Sequence, residues 1–208
     1  MLHRETVAEP AFHLLEELMS FKPLKEYALV GGTALSLQLG HRISEDLDLF
    51  ILKKFDKTKM QVALKKAFKD RIDIHSTVKN QLGVFSHLDG IKIDIVNHPY
   101  PLINDIVVEE NIRMWSMLDI AAAKVYAISI RATKKDFWDI DRLLDIFNIE
   151  EIADAYYKRY NQFVALGVPK MLTYFSEANE TRAPICLLKK NWNLVQKNIS
   201  KKINQQLK

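Results

Sequence analysis

Cysteine is nearly absent: Cys186 is the only one among 208 residues. No disulfide can form within the chain, and a cysteine-based zinc site is disfavoured. Cys186 lies in the apolar run ICLL and reads as a small packed residue. No apolar run approaches the roughly 18 residues that a membrane span needs. The first residues, MLHRETVAEPAF, lack a basic-then-apolar export pattern. These absences point to the cytoplasm and to no membrane partner. Acidic residues are missing from 189–208, which carries six lysines. Against +4 for the whole chain, that segment is +6 and the remainder −2. Such a tail suits phosphates of RNA or DNA, and equally a solvated helix face. The histidines at 3, 13, 41, 75, 87 and 98 form no HExxH or other metal spacing. His41 fits a phosphate contact or a turn, and His75 and His87 face solvent or a groove. There is no G-x-S-x-G, no repeat and no low-complexity tract.

What is present is enough for a core. Apolar residues make up 48% and charged residues 27%, as in a globular chain. The length allows one large domain or two small ones. Pro10 suits the first turn of a helix through FHLLEELMSF. YALVGG reads as a short buried strand ending in glycines, and TALSLQL as a short helix. In DLDLFI, residues 46–51, Leu47, Leu49 and Ile51 point one way while Asp46, Asp48 and Phe50 point the other. KTKMQVALKKAFK is an amphipathic helix, and RIDIHSTV, QLGVFSHL and IKIDIV are three strands. Leu88-Asp89-Gly90 makes the last two a hairpin, and Asn97, His98 and Pro99 end the sheet region.

After about residue 105 the pattern turns helical. Ser116-Met117-Leu118-Asp119 is a capping-box-like start for IAAAKVYAISIR. Thr133 caps KKDFWDIDRLLDIF, and further helices cover 150–160, 169–179 and 191–206. Phe137 and Trp138 read as packing, and Tyr156, Tyr157 and Tyr160 as core and rim of a bundle. The expected fold is α/β: a small mixed twisted sheet with flanking helices over 1–108, then a helical domain over 109–208. The two halves would enclose the active-site cleft.

The chemistry concentrates in Gly31-Gly32-Thr33 followed by Asp46-Leu47-Asp48. Two glycines after a strand let backbone approach a ligand, and a helix starting near Thr33 aims free N–H groups at an anion. The spacing is neither a Walker A loop nor GxGxxG. Asp46 and Asp48 project from one strand face, where like charges repel until a divalent cation joins them. Magnesium prefers such oxygen ligands together with substrate phosphates. Asp94 in IKIDIV supplies a third carboxylate if its strand lies beside DLDLFI, and three carboxylates suit two metals. A D-x-D pair alone also fits the polar face of an edge strand; the glycine pair ahead of it makes the combination specific. Downstream, Lys124, Ile128 and Arg131 share one helix face, and Asp136 and Asp139 share another. That second group also fits a salt-bridge cluster between helices.

GGTALSLQLGHRISEDLDLF resembles the first motif of the AbiEii-type nucleotidyltransferases, toxins of bacterial toxin–antitoxin and phage-abortive systems within the DNA polymerase beta-like superfamily. Lys124, Arg131, Lys135-Asp136 and Asp139 resemble the family's second motif. The two motifs lie within residues 28–142. The resemblance implies that Asp46 and Asp48 hold Mg²⁺, or Mn²⁺, and that Gly31, Gly32 and Thr33 hold the triphosphate of an NTP. It implies that Lys124 offsets charge on the leaving group, and that Asp136 or Asp139 assists, orienting Lys124 or Arg131 or the acceptor hydroxyl. Arg42 and Ser44 flank the metal pair and are placed to touch phosphate. Asp94 fits the superfamily's third carboxylate. The implied reaction is transfer of a nucleotide to an acceptor hydroxyl, of RNA and in particular tRNA, by a toxin with a cognate antitoxin. Two rivals are transfer to a small molecule or protein, and a non-catalytic nucleotide-binding module.

Overall fold

The computed structural model describes residues 1–74, 83–161 and 167–206. The chain opens with α1 (Glu9–Ser20), with Pro10 in its first turn, and α2 (Gly31–Leu39). Between them runs β1 (Ala28–Leu29). Then follow β2 (Leu47–Ile51), α3 (Lys57–Phe68), β3 (Ile72–Ile74), β4 (Gly83–Leu88) and β5 (Ile91–Asn97). The reading of 75–82, His75 included, falls outside the described residues.

The sheet does not end at Pro99. A further hairpin, β6 (Val107–Glu109) and β7 (Ile112–Met114), joins it. Its two-residue turn has Glu110 and Asn111 both at positive φ, the geometry that matches strand twist in tight hairpins. Each strand is only three residues long, too short for an alternating signal to stand out. The seven strands run in the order β3-β4-β5-β2-β1-β7-β6. β2 with β5 and β1 with β7 are parallel, and the other pairs are antiparallel, so the sheet is mixed. The β4–β5 hairpin forms with Leu88 opposite Ile91, as the turn residues predict.

β2 lies at the centre of the sheet and carries the alternation read from the sequence. Leu47, Leu49 and Ile51 are buried, while Asp48 and Phe50 face the other way, half-buried. Fully burying each leucine is worth about 2 kcal/mol, so a one-residue slip would be costly and the face of Asp48 is fixed. β5 pairs beside it with Asp48 opposite Asp94.

The helical half starts with α4 (Met117–Arg131), where Ser116 accepts from the Asp119 amide as the capping pattern predicts. α5 (Lys134–Leu143) stops short of the predicted Phe147. Thr133 sits at its N-cap position but does not cap the backbone; its hydroxyl donates to Asp136 Oδ2 at 2.5 Å. α6 (Ile149–Tyr160) has a full capping box between Asn148 and Glu151. The expected helix over 169–179 is instead a short α7 (Gly167–Met171) and a separate 3-10 turn at Glu177–Glu180.

α8 (Trp192–Gln206) buries Val195, Ile199 and Ile203 and packs on α5. Trp138 of α5 stacks on Trp192, with centroids 5.6 Å apart, so Phe137 and Trp138 are packing residues as read. Two lysines of the basic segment are spoken for: Lys190 meets Asp141 at 2.5 Å and Lys202 meets Asp145 at 2.5 Å. The segment is a docked helix rather than a detachable tail. No described helix is long and apolar enough to cross a membrane.

Candidate active site

The site begins where β1 gives way to α2. Val30 occupies the N-cap and offers no side-chain cap, so the first amides of α2 have no capping side chain. Val30 N–H donates instead to the Asp48 carbonyl at 2.9 Å, which ties the helix start to β2. Gly31 has φ +69°, and a Cβ there would lie 2.8 Å from Asp48 Oδ2. Glycine is therefore required twice over, by its backbone angle and by the carboxylate packed against it. At Gly32 a Cβ would lie 2.1 Å from the Arg42 guanidinium. The space opened by the two glycines is thus filled by this chain's own Asp48 and Arg42. Thr33 is buried, and its hydroxyl donates to the Asp46 carbonyl and contacts Ser44 Oγ at 2.9 Å. It pins the approach to β2, which leaves its backbone amide as the group available to an anion.

Asp48 stands beside Asp94 on the neighbouring strand. Burial first, and then the Asp94 charge, push the Asp48 carboxyl up to about 6, against the partial relief of Lys92. Lys92 Nζ holds Asp94 Oδ2 at 2.8 Å, while Asp94 Oδ1 is buried and has no hydrogen-bond partner. Two neighbouring acids with an orphaned oxygen between strands form an electrostatic deficit that a divalent cation would correct. Asp46 behaves differently. It precedes the first residue of β2, is 39% exposed, and lies 3.7 Å from Lys135 Nζ. Asp46, Asp48 and Asp94 do not close into one ligand cluster: among the described residues no three His, Cys, Asp or Glu side chains are arranged to hold a metal. Asp48 and Asp94 line one cleft, of about 360 Å³, together with Gly31, Lys124 and Arg131. Asp46 lines an adjacent depression of about 320 Å³ with Arg42, Ser44, Thr133, Lys135 and Arg182. A pair of carboxylates still fits magnesium, which is commonly held by one or two acids plus substrate phosphates.

Under the cleft lies a buried charge network. Asp139 is fully buried and accepts two bonds from Arg42, at 2.6 and 2.9 Å, and one contact from His41 Nε2 at 2.8 Å. Lys124 Nζ sits 2.9 Å from Asp136 Oδ1 and 2.6 Å from Asp139 Oδ2. Burial pulls Lys124 toward the neutral amine, but Asp136 and Asp139 override it and hold the ammonium above its ordinary range. Burial likewise opposes ionisation of Asp139, and Arg42 and Lys124 override it, leaving the carboxyl well below the usual range. Two acids and two bases balance, which is what allows four ionisable groups to be buried together. Asp136 and Asp139 do not reach the cleft; they orient Lys124 and Arg42. His41 is a buried member of this network rather than a turn residue. Arg42 and the Ser44 hydroxyl are engaged within the protein. Arg131 is the opposite case, 58% exposed at the cleft with its Nε 3.8 Å from Asp136.

Sequence reasoning missed Lys92, although its place two residues before Asp94 puts it on the same strand face. It also missed an aromatic wall of the cleft built from β2, β4, the residues just after β5 and β7, α4 and α6. Those rings come from separate segments, and no local spacing announces them.

The family model described as nucleotidyl transferase AbiEii toxin, Type IV TA system, matches residues 13–202. An uncharacterized protein of Aquifex aeolicus, aq_aa25, is 33% identical over 174 residues, covering 80% of this chain and 82% of its own. Among solved structures, JHP933 from Helicobacter pylori superposes with a TM-score of 0.58 at 19% identity, over 96% of this chain and 92% of that one. MenT4, a nucleotidyltransferase toxin from Mycobacterium tuberculosis, gives 0.55 at 13% identity, over 91% and 82%. At those identities the structures are alike in fold.

Proposed function

The chain belongs to the AbiEii family of nucleotidyl transferase toxins, and from that premise we propose that it transfers a nucleotide from an NTP to an RNA hydroxyl, with tRNA as the acceptor, in a magnesium-dependent reaction. The observation that carries the reading is the carboxylate pair Asp48 and Asp94, packed against the uncapped start of α2. The amides of Gly31, Gly32 and Thr33 face the triphosphate, and the positive end of the helix dipole favours its charge. Asp48 and Asp94 would hold the cation, with Asp46 at the edge of the same region. A magnesium ion held there would supply positive charge that offsets the acids and the phosphates.

The acceptor hydroxyl gives up its proton to solvent and attacks the α-phosphorus in line, the bond to the bridging β-phosphate oxygen breaks, and pyrophosphate leaves. Lys124 keeps a fixed positive charge at the cleft floor, and Arg131 adds a mobile one at its mouth. Asp136 and Asp139 are positioning residues, since they touch the cleft only through Lys124 and Arg131. Family membership supports a toxin role with a cognate antitoxin.

The test is incubation with each α-³²P-labelled NTP and total cellular RNA, with Mg²⁺ or with EDTA. Label in tRNA that requires Mg²⁺ is the expected result. Label in protein or in a small molecule, with none in RNA, would replace the acceptor. Asp48→Ala should abolish labelling while leaving the circular dichroism spectrum unchanged.

A further inference from the structure

The cleft has two chemically distinct ends. Along β2 and β5 the lining passes from Asp48 and Asp94, with Gly31, Lys124 and the Phe85 ring paired opposite Asp94, to Phe50, His98, Trp115, Tyr126 and Tyr160. Tyr126 and Tyr160 are stacked, with centroids 4.5 Å apart and planes 7° from parallel. His98 stacks on Phe50 at 5.4 Å, and its Nε2 lies 3.1 Å from the Tyr160 hydroxyl. Trp115 closes the back, 5.3 Å from His98, and is itself covered behind by Arg159, 3.9 Å from its ring centroid. Arg159 is paired with buried Asp119, so its charge is spent inside the protein. His98 is pushed down to about 4, by burial and then by Arg159, so it stays neutral at physiological pH. The aromatic end therefore presents π faces without a net cation. An anion gains little there, whereas a flat heteroaromatic ring gains stacking. The half-buried rings Phe50, Phe85, His98 and Tyr126 line the cleft rather than disappearing into the core.

We propose that this aromatic recess holds the nucleobase of the donor nucleoside triphosphate, stacked against Tyr126, with the triphosphate at the Gly31–Asp48 end. This rests on the cleft being the donor site. The volume of about 360 Å³ is of the size that small-ligand sites have. The recess and the carboxylate pair are parts of one cavity, so one ligand spans both. Tyr126 lies in α4 two residues beyond Lys124, and the same helix thus supplies a cation toward the phosphates and a ring toward the base.

The experiment is isothermal titration in Mg²⁺ with the four nucleoside α,β-imido triphosphates and, separately, with inorganic tripolyphosphate. Wild type, Tyr126→Leu and Tyr126→Phe are compared; leucine retains apolar bulk and removes the π face. The expected result is that at least one nucleotide binds wild type more tightly than tripolyphosphate. Tyr126→Leu should then weaken that nucleotide about tenfold, leave tripolyphosphate unchanged, and be rescued by Tyr126→Phe. Unchanged tripolyphosphate affinity also reports that the variant is folded. Equal nucleotide affinity in Tyr126→Leu and wild type, or nucleotides binding no better than tripolyphosphate, overturns the assignment of the base. Failure of wild type to bind either probe overturns the donor site itself.

Discussion

Replacing Asp48 by asparagine removes one charge from a place where charge is costly. The carboxyl is held at about 6, against an ordinary 3.8, by burial and by Asp94. Between those two values the folded protein holds a proton there that the unfolded chain has lost. Stability therefore falls as pH rises through this window, the reverse of a salt-bridged acid. Two pKa units correspond to about 3 kcal/mol at most, and partial exposure and relaxation reduce this to about 1–3 kcal/mol. Asparagine is nearly isosteric and uncharged, so metal-free Asp48→Asn should be more stable than wild type above pH 6. For a chain of this length the gain amounts to roughly 3–10 °C in Tm. At pH 4 the two proteins should be close, because wild-type Asp48 is then mostly protonated. His98 titrates in the same range with the opposite sign. Its depressed pKa of about 4 means that the unfolded chain binds the extra proton between 4 and its ordinary 6.5, so this contribution is lost as pH falls. Taking the difference between variant and wild type at each pH cancels the histidine. Urea melts in EDTA at pH 4.5 and 7.5 measure it. A difference that does not grow with pH, or an asparagine variant destabilised at pH 7.5, would refute the proposal that Asp48 is a strained, uncompensated acid.

Other expectations follow from the same geometry. Asp139→Asn strips the partner from buried Arg42 and Lys124 and should cost about 3–5 kcal/mol, read by urea denaturation. Gly31→Ala meets both a positive φ and Asp48 Oδ2 at 2.8 Å; it should destabilise by about 1–3 kcal/mol and abolish nucleotide transfer, checked by melts and labelling. Arg131→Ala, at an exposed site, should leave Tm within about 2 °C and raise KM for NTP severalfold. Truncation after residue 188 should lower stability sharply, because α8 buries Val195, Ile199 and Ile203 on α5; a melt unchanged by the truncation would contradict the docked helix.

The central strand was legible because it obeys one strong rule. DLDLFI alternates with Phe50 as its one apolar residue on the polar side, and burial of Leu47, Leu49 and Ile51 fixes the register. Pairing of Asp48 with Asp94 followed once IKIDIV lay alongside. The Ser116 cap was equally legible, since its partner amide is three residues away. Features that depend on distant partners were not. Asp46 shares the period of Asp48, but it precedes the strand and turns toward Lys135, a residue 89 positions later. Thr133 has the right identity for a cap, yet its hydroxyl donates to the Asp136 carboxylate and its oxygen accepts from no amide of α5. The glycine pair suggested room for a ligand, whereas Asp48 and Arg42 occupy much of that room. The aromatic end joins residues from β2 to α6, and only the fold brings them together.

The proposed chemistry requires Asp48 and Asp94 to share a divalent cation at the start of α2. Mn²⁺ bound in the presence of a non-hydrolysable NTP can be counted directly by electron paramagnetic resonance. Wild type should bind the ion, with Asp48→Asn and Asp94→Asn each weakening it at least tenfold. Undiminished Mn²⁺ binding by both variants would contradict the account.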